Sequence, residues 1–182
     1  SGELRKQAKR LLAGQASAAF VEHFVGQWLD TRKLEHLMPD ERFNVGQADL
    51  RLAKRESEQF FRAMLKENRP MTDFIDPDFT FTTKAVATKV YGIGEGLKDS
   101  DVLQRVALQR GGRYGGVLGQ AAVLAATANG VHTQPVVRGV WVLENILGDS
   151  PPPPPDAVPA ITPDTTGAKT VREQLKAHTA DT

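Results

Sequence analysis

Apolar residues recur at helical spacing along most of this chain, in stretches separated by glycine, proline and short polar turns. Residues 3–13 (ELRKQAKRLLA) place Leu4, Ala8, Leu11 and Leu12 on one side of a helix and basic groups on the other. Gly14 suits a helix stop, and Ser17 suits the cap of a second helix over 17–37, closed by Pro39. That helix carries Phe20, Phe24 and Trp28 four residues apart, with Val21, Val25 and Leu29 beside them. A third helix is predicted over 49–68. Its apolar stripe is Leu50, Ala53, Phe60, Phe61, Met64 and Leu65, and Arg51, Lys54, Arg55, Glu58 and Lys66 suit its wet face. Arg69-Pro70 ends it, because the residue before proline is steered away from helical geometry.

The second half is more broken. MTDFIDPDFTF predicts a short turn-helix and then an extended piece around Phe79–Phe81. A brief helix over 83–91 follows, and Gly92, Gly94 and Gly96 open a loop. Residues 102–108 fit a helical turn or a short strand equally well. After GGRYGG comes a small-residue helix over 117–128, stopped by Asn129-Gly130. Another helix spans 135–147, with Pro135 in its first turn and Gly148 at its end. Asp149, Ser150 and five prolines begin a stiff polyproline linker, and TVREQLKAH forms a short terminal helix. The pattern therefore predicts a mainly α fold, an irregular multi-helix bundle with long loops. Its helical domain covers 1–148, its proline-rich linker 149–167, and a leading helix 168–182.

Composition narrows the function. With 182 residues, 40% hydrophobic and 25% charged, the chain can build a core without disulfides or metal. A net charge of +1 lacks the basic excess that bulk binding to nucleic acid or anionic membrane requires. No run approaches the roughly 18 apolar residues of a membrane span. There is no cysteine, which excludes a disulfide framework, a thiolate metal site and a covalently attached c-type haem in this chain. His23, His36, His132 and His178 show no metal-ligand spacing, so no metal site and no cofactor are expected here. Ser17, Ser57, Ser100 and Ser150 lack a local base, and Glu56 and Glu58, two apart on a helix, diverge. No catalytic residue is assigned.

Charge placement is the most informative irregularity. Val102 through Leu143 contains Arg105, Arg110, Arg113, Arg138 and His132 and no acidic residue. Glycine-rich turns at a helix start expose amides that attract anions, and arginine adds a forked grip on carboxylate or phosphate. The competing reading is that the arginines pair with carboxylates elsewhere in the fold. The candidate anion or partner patch is Arg110, Arg113, Asn129, His132, Thr133 and Arg138.

The strings FVGQWLDTRKL, RESEQFF, DFIDPDFTF, VYGI and RYGGVLGQAAVLAATANGVHTQPVVRGVWVLENILG, followed by PPPPPDAVPAI, carry a further signal. Together they resemble the planctomycete multidomain proteins that combine domains of unknown function with c-type cytochrome domains. The most specific stretch is Thr133 to Pro155. The resemblance implies an extracytoplasmic parent protein, periplasmic or secreted. It also implies that residues 168–182 lead into a c-type haem domain beyond Thr182, which would be this segment's neighbour and partner. The function expected is a non-catalytic helical scaffold or interaction module. The alternative is a redox-coupled enzyme domain acting on an extracellular carbohydrate or small molecule, with Asn129, His132, Thr133 and Arg138 around its pocket. A third reading makes the polyproline segment a ligand, and its prolines are expected against Trp141, Trp28 or a tyrosine.

Overall fold

The helical periodicity carries through to the folded chain. A computed structural model describes residues 2–14, 16–112, 114–152, 170, 172, 173 and 176. It divides into two compact units, Ser1–Arg138 and Gly139–Thr182. The fold is mainly α, as the sequence predicts.

The first unit begins with α1 (Gly2–Ala13) and α2 (Ala16–Trp28). Ser17 lies inside α2 rather than at its cap, and its amide donates to the Gly14 carbonyl. The helix expected to reach residue 37 stops at Trp28. Asp30 takes a left-handed conformation there (φ 59°), and a 3-10 turn, Thr31–Glu35, follows. A short 3-10 turn at Glu41–Phe43 precedes α3 (Gln47–Lys66), the longest helix described. The Asp49 carboxylate accepts the Gly46 N–H at 2.9 Å, which satisfies an orphan donor at the helix start where negative charge is favoured.

A 3-10 turn at Met71–Phe74 leads to β1 (Phe79–Thr82). Then come α4 (Lys84–Val86) and a π-helical turn, Ala87–Tyr91. Residues 104–107 resolve the ambiguity of 102–108 as a strand. β2 (Gln104–Ala107) pairs antiparallel with β1 in the register Phe79↔Ala107 to Thr82↔Gln104. The single helix expected over 117–128 is two, α5 (Gly116–Gly119) and α6 (Ala121–Ala126), broken where Gln120 is extended (ψ 140°). Helix α7 runs Pro135–Val142.

Two clusters hold the first unit together. Leu34, Leu50, Ala53, Val86, Tyr91, Ala121 and Ala122 form one, so α3, α4 and α6 share a core. The other is aromatic: Phe60 lies 5.3 Å from Phe79 and Trp28 lies 5.4 Å from Phe74 between ring centroids. Burying Phe60 stabilises the fold by roughly 1.5–3 kcal/mol. The branched residues Val21 and Val25 of α2, and Leu29 just past its end, enter the core, whereas Phe20 and Phe24 stay 46% and 41% exposed and lie tilted against Phe61. His23 of the same helix is exposed. Helix α1 buries none of its residues, so its expected apolar side stays wet.

In the second unit, a π-helical turn at Leu143–Leu147 is closed by Gly148 at φ 68°, as the sequence expects of a glycine stop. Thr170 and Glu173 exchange hydrogen bonds in a capping box, each amide donating to the other's side chain. Pro153–Pro155, the remainder of the expected linker up to residue 169, and most of the residues expected to form the terminal helix lie outside the described residues, and with them the expected contact of the prolines with Trp141, Trp28 or a tyrosine.

Candidate functional site

Helix α3, helix α4 with its π turn, and helix α6 splay apart on one side and leave an open cleft of about 430 Å³. Its floor is aliphatic, built from Leu50 and Ala53 of α3, Val86 and Val90 beside α4, and Leu124 and Ala125 of α6. Two polar groupings interrupt this lining. Lys89 Nζ donates to both oxygens of Asp49 at 3.0 and 2.8 Å. Burial pushes the Asp49 carboxyl up, but the Gly46 amide and Lys89 outweigh it and hold it below the ordinary value. That pair is self-compensated.

The second grouping is Arg138, and it is not compensated. Its Nε donates to Thr127 Oγ1 at 2.9 Å and its Nη2 to the Leu124 carbonyl at 3.3 Å. Both acceptors are neutral, and no carboxylate meets this guanidinium among the described residues. Arg138 is half-buried, and burial lowers its pKa. Thr127 is itself fully buried and donates to the Val123 carbonyl at 2.8 Å, so the plane of the guanidinium is fixed from below.

The rim of the cleft is the turn between α6 and α7. Asn129 Oδ1 accepts the amides of Val131 and His132 at 3.0 and 2.7 Å, and Ala128 bridges Thr133 across the turn. Gly130 sits at φ +85°, where a Cβ would fall 2.5 Å from the Met38 carbonyl oxygen. Only glycine fits that position without displacing the backbone. The Arg42 guanidinium donates to the Val131 carbonyl at 2.7 Å and ties the turn down. His132, Thr133 and Arg138 all line the cleft.

Arg110 lies elsewhere. Its guanidinium donates to Asp73 Oδ1 at 3.0 Å and to the Asp76 carbonyl, while Arg69 Nε donates to Asp73 Oδ2 at 2.7 Å. Asp73 is 1% exposed. Burial pushes its carboxyl up, but the two arginines hold it below the usual range. The Gly111 amide donates to Asp76 Oδ1 at 2.6 Å, so an internal carboxylate occupies the glycine-rich turn. Arg105 likewise pairs with Glu67 at 3.0 Å. Arg113 lies outside the described residues. The patch thus divides: Asn129, His132, Thr133 and Arg138 come together, and Arg110 does not join them.

A buried acid stands behind the cleft. Glu56 of α3 is 1% exposed; its Oε1 accepts from Thr82 Oγ1 at 2.5 Å and its Oε2 from the Tyr91 hydroxyl at 3.0 Å. Tyr91 in turn accepts the Ala121 amide at 2.7 Å, the first free N–H of α6. Burial raises Glu56 to about 7 against the pull of these hydrogen bonds.

Residues 1–93, more than half of the chain, match the family model PSD4, protein of unknown function (DUF1592). The chain belongs to the DUF1592 family. Residues 114–182 match a second model, PSCyt3, protein of unknown function (DUF1588). No curated protein and no solved structure matches the chain. The DUF1592 segment supplies α3, α4 and Lys89 to the cleft, and the DUF1588 segment supplies α6, the rim turn and Arg138. The Tyr91–Ala121 hydrogen bond crosses the same seam. Both segments therefore build one site within a single unit.

Covalent c-type haem needs two cysteines, and this DUF1592 chain has none. Among the described residues no group of three His, Asp or Glu converges as metal ligands. Sequence reasoning passed over Glu56, Lys89 and Thr127. The signal for Glu56 was its position: it falls on the stripe of α3 between Ala53 and Phe60.

Proposed function

We propose that the chain is a non-catalytic helical binding module that docks an anionic group in the cleft beside Arg138. The observation that carries this reading is the guanidinium itself, half-buried at an aliphatic cleft and held by two neutral oxygens. Partial burial costs a cation hydration, and an incoming anion offsets that cost in a way neutral oxygens do not. The enzyme alternative places Asn129, His132, Thr133 and Arg138 around a pocket, yet Asn129 spends its side-chain oxygen on two amides of its own turn. That observation favours binding over turnover.

The setting follows from the resemblance of Thr133–Pro155: an exported, multidomain parent whose neighbouring domain is a c-type cytochrome. Haem staining of the full-length parent tests that setting. The binding reading is tested by titrating acetate, glucuronate and hexanoate into the chain and into R138Q. At least one carboxylate should bind, and R138Q should weaken it about tenfold or more, the scale of a lost charge-assisted hydrogen bond. Equal binding by both proteins would refute the reading.

A further inference from the structure

We propose that the ligand class of this cleft is an amphipathic monocarboxylate, an acyl chain whose carboxylate meets Arg138 and whose tail lies along the aliphatic floor. This rests on the reading of the cleft as an anion site and adds the chemistry of the ligand.

Three observations select that class. The first is charge. Lys89 is already bound by both oxygens of Asp49, so Arg138 is the lining cation left facing the cleft with neutral partners alone, and a single negative charge balances it. A phosphate dianion or a polyanionic glycan would bring charge that the lining does not answer.

The second is the lining. Away from the Asp49–Lys89 pair and from His132 and Thr133 at the rim, Leu37, Val45, Val86, Val90, Leu124 and Ala128 offer methyl groups and no hydrogen-bonding side chains. A sugar ring would press hydroxyls against them and lose their hydration without replacement. A hydrocarbon tail instead removes apolar surface from water on both sides of the contact. The volume of about 430 Å³ falls within the range of small-molecule pockets, roughly 300–1,000 Å³.

The third is preorganisation. Thr127 Oγ1 and the Leu124 carbonyl take Nε and Nη2, and among the described residues Nη1 has no acceptor. The side chain is held in place before the ligand arrives, so little rotamer freedom is lost on binding.

The test uses the unmodified chain with butanoate, hexanoate and octanoate below their micellar range, with octanol and inorganic phosphate as controls. Affinity should rise about fourfold per methylene along the acid series. Octanol should bind at least tenfold more weakly than octanoate, and this comparison holds even if R138Q does not fold. If the short and long acids bind equally, with Arg138 still required, the acyl inference falls and the anion reading stands. If octanol matches octanoate, the cleft is merely apolar and both fall. If no probe binds, the functional reading falls with it.

Discussion

The Tyr91 hydroxyl donates to Glu56 Oε2 at 3.0 Å while accepting the Ala121 amide at 2.7 Å, so its one proton is committed to the acid. Thr82 Oγ1 stands 2.5 Å from Glu56 Oε1 and 3.2 Å from the Thr83 carbonyl. When Glu56 is neutral its own proton goes to Thr82, which then donates to Thr83. When Glu56 is ionised, Thr82 donates to it instead. Both states find partners, and burial decides between them by raising the carboxyl to about 7.

The pH dependence of folding follows from that shift. Between the ordinary value of 4.5 and about 7, the folded chain keeps a proton on Glu56 that the unfolded chain has lost. Stability from this group is full below 4.5 and falls as pH rises to about 7, by about 3 kcal/mol at ~1.4 kcal/mol per unit. Urea unfolding at pH 5 and pH 8 should show most of this loss, and Glu56→Gln should flatten it. An equal slope in the variant would assign the dependence to another group.

Tyr91→Phe removes one atom from this network and leaves two groups short, Glu56 Oε2 and the Ala121 N–H. Each unsatisfied buried group costs roughly 1–3 kcal/mol, so the variant should lose about 2 kcal/mol or more. Because Tyr91 bonds the ionised form, Glu56 should titrate at higher pH in this variant. Carboxyl-selective NMR at Glu56 measures that directly.

Much of the fold was legible because its period is simple. The presence of α3 (expected over 49–68 and found two residues earlier at both ends), the extended piece at Phe79–Phe81, and the helical stops at Gly14 and Gly148 all follow from spacing and from glycine or proline. What escaped depends on tertiary partners. The break at Gln120 is supported by the Tyr91 hydroxyl, which caps the first amide of α6 from thirty residues away. No local pattern announces that. The early end of α2 rests on a left-handed Asp30 in a run with unbroken helical propensity. The spacing of Glu56 from Glu58 gives no sign of its burial, which follows from its place on the apolar stripe of α3. The arginines could be sorted only once Asp73, Asp76 and Glu67 had been brought to them by the fold.

Arg110 serves Asp73, so Arg110→Gln should lower the thermal unfolding midpoint. It should leave carboxylate binding unchanged. Thermal unfolding together with the titration of hexanoate checks both halves of the statement.

Gly130→Ala should disturb the rim turn. At φ +85° an added Cβ meets the Met38 carbonyl at 2.5 Å, and the Asp40–Gly130 backbone hydrogen bond of 2.8 Å lies beside it. A loss of more than about 1 kcal/mol is expected, with weaker binding in the cleft. Unfolding and ligand titration on the same sample measure the two effects.

The Arg138 Nε–H resonance in a nitrogen-edited NMR spectrum is the most direct probe of the proposed function. Adding octanoate should shift it in a saturable manner, with the amides of Leu124 and Thr127 following and the Arg110 side chain still. Should the Arg138 signal stay in place while ligand saturates some other surface, the anion site is not here and the binding role drawn from it is wrong.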